Sequence, residues 1–481
     1  MSAATPSGAS GGPSPGSGAG PTVLKFGGTS VEDAAALERM AAIVADRRIE
    51  LPIAVVSAMA GVTDGLVRLA ELALRRDLEA ADALTGQLRH RHLDTLRALG
   101  GSAEAEAALA QLFAELAELV RGIGAVAELT DRTRDAVLAF GERCSPWLAT
   151  AALARAGLPA RLLDARQILA TDEHFTQATP LAPESLRQAQ ERLVPALAAG
   201  AVPVLGGFIA ATRDGVTTTL GRGGSDFSAA FIGSLLGARR IEIWTDVDGM
   251  LTADPRVCSG ARRIKVISFH EAAELAYFGA KVLHPATLLP AMQAGIPVWV
   301  LNSRAWLPGP PDGARTGTLV TTRAPKSPSP FKCISTKRRI AVVDVISTRM
   351  LQAHGFLKAI WDVFADYRTP VDMVSTSEVS VSLTISDTAR LADIADALGR
   401  FADVRCEGRK AIVCLVGESL RNTPGLAGQV FAVLGGINVR MISQGASEIN
   451  IGMVLDDDDV PEAMRRLHAH FFADLDPAVF A

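Results

Sequence analysis

Three stretches of this chain, two of them glycine-rich, carry charged residues where a backbone can close on a ligand. The first is Val23-Leu24-Lys25-Phe26-Gly27-Gly28-Thr29-Ser30, an apolar run with one lysine, then two glycines and two hydroxyl residues. It leads through Val31-Glu32-Asp33 into an alanine-rich segment with Leu37, Met40, Ile43 and Val44 at helical spacing. That order reads as strand, turn, helix. Glycines let N–H groups approach a ligand closely, and a helix N-terminus adds partial positive charge. Lys25 adds a full cation, and Ser30 with Asp33 has the form of a capping box. A plain strand–turn–helix joint is written with the same letters, so this stretch alone does not decide.

The second stretch is Thr217-Thr218-Thr219-Leu220-Gly221-Arg222-Gly223-Gly224-Ser225-Asp226, ahead of a helical run from Phe227 to Leu236. An arginine among glycines suits a tight turn that grips a carboxylate or phosphate through two parallel hydrogen bonds. Ser225 or Asp226 suits the helix cap. The third stretch runs from Ile241 through Thr245-Asp246-Val247-Asp248-Gly249-Met250-Leu251 to Asp254-Pro255-Arg256. Its acids and arginine fit a ribose, a metal or a phosphate, and equally fit Asx-turns. Glu142, in Phe140-Gly141-Glu142-Arg143, and Lys281, in Phe278-Gly279-Ala280-Lys281, read singly as ordinary helix-start and turn residues.

These residues need a scaffold, and the composition allows one. The 481 residues leave room for two or three domains, and 48% hydrophobic against 21% charged content excludes a disordered chain. A formal charge of −4 gives no electrostatic case for nucleic acid as a partner. Five cysteines without a CxxC pair fit neither a disulfide framework nor a zinc site, and suit a reducing compartment. Residues 1–20, nearly all Ser, Gly, Pro and Ala, read as a disordered tail and not as a signal peptide. The uncharged run Leu193–Thr212 is broken by Pro195, Gly200, Pro203, Gly206 and Gly207, so it reads as a helix end and a core strand instead of a membrane span. A soluble, cytoplasmic protein is expected.

Apolar strand-like runs alternate with helical patterns from Val23 to about Asn302. The strands expected are Val23–Phe26, Ile53–Val56, Arg161–Leu163, Val202–Phe208, Ile241–Trp244 and Pro297–Leu301. Continuous apolar runs mark strands buried on both faces of a largely parallel sheet, giving a three-layer α/β domain over 21–307. Ligands of such sheets gather at the carboxyl ends of the strands, where the glycine turns fall. Residues 66–120 read as a helical excursion without chemistry. A proline-rich linker is expected over 308–334.

Beyond it the chain repeats. Gly355-Phe356-Leu357 leads through Val371-Asp372-Met373 to Ser377-Glu378 and an alternating strand; Gly425-Leu426 leads through Val439-Arg440-Met441 to Ser447-Glu448 and another. Both pairs of landmarks, 355 to 425 and 378 to 448, are 70 residues apart. Two ferredoxin-like βαββαβ modules are expected, over 335–405 and 406–481.

Taken in order, Val23–Ser30, Val56–Thr63, Phe140–Arg143, Gly221–Asp226, Thr245–Arg256 and Phe278–Pro285 resemble the aspartate kinases of the amino-acid kinase family, in their monofunctional lysine-inhibited form with C-terminal ACT modules. The resemblance runs from Val23 to the C-terminus. It implies phosphoryl transfer from ATP, with Mg2+, to the side-chain carboxylate of L-aspartate, the first step towards lysine, threonine and methionine. It implies catalytic roles for Lys25 and Asp226. ATP contacts would come from Lys25, Phe26, Gly27, Gly28, Thr245, Asp246, Leu251, Arg256 and Lys281, with Leu251 standing where relatives often have tyrosine. Substrate contacts would come from Ser57, Thr63, Glu142, Arg222, Gly223, Gly224 and Ser225. Met350, Phe356, Leu357, Asp372, Ser377 and Glu378 match lysine-effector positions, while Ala353 and Pro370 replace serines. A homodimer or homotetramer through the ACT modules is implied. Two readings compete: another amino-acid kinase acting on acetylglutamate, glutamate or a nucleotide monophosphate, and a catalytically dead sensor.

Overall fold

The computed structural model describes residues 20–278, 285–309, 317–325, 327, 329–347 and 355–481. They form two compact units, one of residues up to Gly249 with Ala286–Thr322, the other of Met250–Pro285 with Arg323–Ala481.

In the first unit the sheet takes the order Ala160–Leu162, Val202–Gly206, Pro52–Val56, Thr22–Phe26, Arg240–Thr245, Val298–Asn302, Gly317–Thr321. All six expected strands are present and mutually parallel. Every residue of Thr22–Phe26, Pro52–Val56 and Val202–Gly206 is buried, as strands covered on both faces require. The seventh strand, Gly317–Thr321, corrects the linker reading: it lies antiparallel on Val298–Asn302. Its five residues sit among prolines and polar side chains that hide a strand signal. A second small sheet joins Ala170–Thr171, Ile209–Thr212 and Thr217–Thr219. The uncharged run 193–212 thus divides between the helix Ala182–Ala198 and two strands. Among the described residues no helix is long and apolar enough to cross a membrane.

The excursion is three helices, Val62–Leu74, Leu78–Ala98 and Ala103–Val126. Asp77 and Ser102 cap the last two through their side chains. Leu66, Leu96, Leu109 and Leu116 join one buried cluster with Leu24, Phe26 and Val56 of the sheet. One local expectation fails here. Asp33, not Ser30, caps the helix Ala34–Asp46, accepting from the Ala36 N–H at 2.8 Å. Ser30 is buried and turned to Ser303, Oγ to Oγ 2.8 Å.

The second unit holds one antiparallel sheet in the order Met373–Thr376, Ser380–Ile385, Phe331–Ile346, Asp403–Gly417, Asn450–Asp456, Met441–Gln444. Its two long strands serve both repeats. Residues 341–346 pair with Ser380–Ile385, whereas 410–416 pair with Asn450–Asp456. The register between the two long strands breaks at Lys337/Ile340 and Ile340/Val342, and Arg339 and Arg409 take positive φ at the joint. The helices Phe356–Asp366 and Leu391–Gly399 serve the first repeat, Leu426–Val433 and Val460–Phe471 the second.

This corrects the boundaries read from sequence. Phe331–Lys337, split there between linker and first module, pairs with residues 412–417 and so supplies the fourth strand of the second module. The first module is inserted between that strand and the rest of the second. The boundary at 405/406 falls inside the strand Asp403–Gly417. Met250–Pro285, read as kinase domain, belongs to the second unit. Ala253 and Cys258 enter the apolar cluster of Val413, Leu415 and Met453, and the Ile334 N–H donates to Thr252 O at 2.7 Å.

Candidate active site

Lys25 is the penultimate residue of a buried strand, and its ammonium lies 2.7 Å from Asp226 Oδ1, with side chains 10% and 14% exposed. Asp226 sits in the first turn of the helix Gly224–Leu236. It does not cap that helix: the cap position is Gly223, at φ 74 with no side-chain bond, which leaves the Asp226 carboxylate for Lys25. Gly27 and Gly28 play different parts. The Gly27 N–H is taken by Trp244 O at 2.9 Å, so it is not the free anion donor expected. A Cβ on Gly28 would stand 3.0 Å from Ala58 O and 3.3 Å from Ala60 N, so the bare backbone is what lets the turn after Val56 close over it.

A cavity of about 420 Å³ opens on this pair. Lys25, Gly28, Ser57, Thr63 and Glu142 line one side of it, and the loop Gly221–Asp226 the other. Every residue assigned from sequence to catalysis or substrate binding is therefore on its wall. Gly221 and Gly223 both have positive φ, which gives the loop the tight turn that its glycine spacing predicts. Arg222 is exposed and has no hydrogen-bond or ion-pair partner among the described residues. Glu142, 4% exposed, accepts the Ala58 N–H at 3.0 Å through Oε1, while its Oε2 is buried with no partner among the described residues. Burial pushes its pKa up to about 7, against the opposing pull of the Ala58 hydrogen bond and the Lys25 charge. A lysine–aspartate pair, a carboxylate lacking a partner and a free guanidinium thus face one space.

Residues 20–302 match the amino acid kinase family, and 413–471 match an ACT domain. The chain belongs to the amino acid kinase family. It is an ATP-dependent aspartate kinase, and the likeness runs along almost the whole chain. Aspartokinase 2, chloroplastic, of Arabidopsis thaliana is 38% identical over 470 residues, covering 94% of this chain and 84% of that one. Lysine-sensitive aspartokinase 3 of Escherichia coli strain K12 is 37% identical over 460 residues, covering 94% and 99%. The crystal structure of E. coli aspartokinase III in complex with aspartate and ADP (R-state) matches with a TM-score of 0.81 at 34% identity, covering 94% of this chain and 100% of that one. The same enzyme in complex with lysine and aspartate (T-state) gives 0.79 at 35%, covering 94% and 99%.

The nucleotide-side residues expected in this kinase are distributed differently from the substrate set. Thr245 ends the strand beside Thr22–Phe26 and Asp246 follows it, so both lie at the carboxyl edge of the sheet. The Phe26 side chain is fully buried and stacks on Trp244, centroids 6.5 Å apart, and its carbonyl accepts the Ser57 N–H at 3.0 Å. Leu251 and Arg256 belong to the second unit. Arg256 is engaged by Asp254 as a fork, Nε to Oδ1 3.0 Å and Nη2 to Oδ2 2.7 Å. Lys281 lies outside the described residues.

Among the described residues the expected effector positions are spread along the first repeat. Phe356 opens a helix and packs edge-on against Phe401, and Leu357 beside it is exposed. Asp372 precedes the strand Met373–Thr376, while Ser377 and Glu378 form the turn after it, about 16 Å away at the rise of an extended chain. Ser377 is closed on Ser380, N–H to O 2.8 Å. Asp372, its side chain 2% exposed, already holds Lys337 at 2.6 Å and accepts from the Tyr277 hydroxyl at 3.3 Å. Met350 and Ala353 lie outside the described residues. Sequence reasoning missed Lys337, Tyr277 and Asp135. Lys337 and Asp135 sit in charged stretches with no glycine beside them, and Tyr277 directly precedes the Phe278-Gly279 motif without entering it.

Proposed function

We propose that the kinase transfers the γ-phosphoryl group of ATP to the side-chain carboxylate of L-aspartate, giving 4-phospho-L-aspartate and ADP, and that lysine bound at the ACT modules inhibits it. The observation that carries this reading is the cavity where the Lys25–Asp226 pair, the unpartnered Glu142 carboxylate oxygen and the unpaired Arg222 meet. An amino acid with an acidic side chain offers one ammonium and two carboxylates, and the cavity offers an anion and cations to match.

The nucleophile is a carboxylate whose pKa in free solution is about 3.9, ionised at neutral pH, so no general base is needed. One of its oxygens forms a bond to the γ-phosphorus as the bond to the bridging β–γ oxygen breaks, and that electron pair leaves on ADP. The obstacle is anion meeting anion. Lys25 supplies positive charge to the transferring group from the sheet side, with the Gly28 N–H beside it, and Asp226 holds the ammonium in place. Arg222 takes the α-carboxylate of aspartate, Glu142 its ammonium, and Ser57 and Thr63 give further polar contacts. Glu142 also separates this reading from a kinase of acetylated substrates, whose amide nitrogen carries no charge for it to meet. The paired Lys25 and Asp226 oppose a dead sensor.

Among the described residues no group of three or more His, Cys, Asp or Glu is placed to hold a metal ion, and Asp226 is engaged by Lys25. Mg2+ would enter with the phosphates of ATP and would neutralise charge there, and Asp226 is the acid that would stand beside it. The ACT modules and the lysine complex of the E. coli enzyme support lysine as effector; a homodimer or homotetramer built through those modules goes with this reading. A cytoplasmic location goes with this reading.

The test is hydroxamate trapping of the acyl phosphate with aspartate and Mg-ATP, repeated with lysine, threonine and methionine. Acyl phosphate from aspartate, suppressed by lysine, is expected. Turnover of N-acetylglutamate alone would overturn the substrate, and inhibition by threonine but not lysine would overturn the effector.

A further inference from the structure

We infer that Asp135 is a positioning residue that sets the Arg222 loop against Glu142, and so sets the distance between the two charges that read the substrate. The inference rests on the assignment of Arg222 and Glu142 to the carboxylate and ammonium of aspartate.

Asp135 lies in the helix Asp131–Leu138 and has no solvent exposure. Its carboxylate accepts three hydrogen bonds from outside its own helix. The Thr219 N–H reaches Oδ2 at 2.9 Å, the Thr219 hydroxyl reaches Oδ1 at 2.7 Å, and the Thr176 N–H reaches Oδ2 at 2.8 Å. Thr219 ends the strand Thr217–Thr219, just before Gly221 and Arg222. Thr176, at φ 71, presents its carbonyl 3.1 Å from where a Cβ on Gly221 would stand. One buried acid therefore holds both the residue that leads into the turn bearing Arg222 and the neighbouring loop that packs on Gly221.

The other end of the joint is equally short. The Ala139 N–H donates to Asp135 O at 3.0 Å and the Arg143 N–H to Ala139 O at 3.0 Å. The helix Phe140–Arg155, which carries Glu142 in its first turn, thus continues directly from Asp135. Glu142 and Arg222 are 80 positions apart along the chain, so this carboxylate is the short tie between helix and loop. An aspartate suits the task because both oxygens accept, and three donors converge on it. An asparagine keeps one accepting oxygen for the two N–H groups and offers an amide to the Thr219 hydroxyl, which can turn to accept. The conservative variant should therefore restore most of the geometry.

The test is steady-state kinetics of the full chain, varying aspartate and ATP separately, for Asp135→Ala, Asp135→Asn, Thr219→Val and Arg222→Ala. Asp135→Ala is expected to raise KM for aspartate about tenfold or more with KM for ATP nearly unchanged, as misplacement of a substrate-orienting group predicts. Asp135→Asn should recover most of that loss, and Thr219→Val, which removes one of the three bonds, should give an intermediate rise. Thr219→Val and Asp135→Asn carry the test if Asp135→Ala does not fold. A parallel rise in both KM values, or unchanged KM for aspartate in the Asp135 and Thr219 variants while Arg222→Ala raises it, overturns the inference alone. Unchanged KM for aspartate in Arg222→Ala overturns the substrate assignment and this inference with it.

Discussion

Lys25 and Asp226 come from distant parts of the kinase unit's sequence and from different kinds of element, yet their charged atoms lie 2.7 Å apart at the mouth of one cavity. The lysine leaves a strand and the aspartate a helix, so the pair bridges the sheet and the layer that covers it. Neither charge is well solvated. Each charge offsets part of the burial of the other.

Removing either partner should therefore cost more than its own contact. Lys25→Ala is expected to lower kcat for acyl phosphate formation by about a hundredfold or more, the usual result of deleting a donor to a developing charge. Asp226→Asn should fall by a similar order. The double variant should be hardly worse than the poorer single one, because the pair acts as a unit. Additive losses in hydroxamate assays at saturating substrate would show instead that the two groups act separately.

Glu142 gives a pH dependence with a definite sign. Burial raises its pKa from 4.5 to about 7, so below that pH the ligand-free site is protonated and lacks the anion for an ammonium. The KM for aspartate should rise as pH falls below 7, by about tenfold per unit, and Glu142→Gln should flatten that limb. Stability runs the opposite way: the folded state binds the proton more tightly than the unfolded chain, so Glu142 favours folding at pH 4.5 and below, and this contribution is lost as pH rises to 7. The melting temperature of the ligand-free enzyme should decline across that window relative to Glu142→Gln.

Asp372 links the effector reading to an ion pair already present. Its carboxylate holds Lys337, whose ammonium also stands 4.9 Å from the centre of the Tyr277 ring. If an effector ammonium is to use Asp372, it competes with Lys337 for it. Asp372→Asn should raise the lysine concentration for half inhibition by about tenfold, in line with loss of one charged hydrogen bond. Lys337→Met should lower it. An unchanged inhibition curve in both variants would remove Asp372 from the effector site.

The metal requirement should follow the nucleotide. A chelator is expected to abolish turnover and added Mg2+ to restore it, with activity tracking the Mg-ATP complex. Metal analysis of the desalted protein, free of nucleotide, should find little retained Mg2+, because that ion keeps most of its waters and binds largely through substrate phosphates. A stoichiometric retained metal would contradict this.

Much of this protein is written locally. The strands of the parallel sheet are continuous apolar runs, and burial on both faces demands such runs whatever surrounds them. Glycine turns announce close approach because few other residues permit it, which makes Lys25, Arg222 and Asp226 legible singly, whereas Glu142 joins them only through the resemblance carried by the ordered motifs. The 70-residue repeat likewise follows from the pattern alone.

What the chain does not write locally is who pairs with whom. The Gly27 N–H reads as free in the sequence and is taken by Trp244 O, because the neighbouring strand ends there. Phe331–Lys337 reads as linker and first module, but strand pairing is a long-range choice, and it completes the second. Asp135 belongs to none of the sequence motifs, yet three donors from distant residues close on it. Residue type and spacing determined which groups could do chemistry with an anion. Only tertiary structure decided which of them remain free to do it, because a hydrogen bond or ion pair is spent wherever the fold brings a partner within about 3 Å.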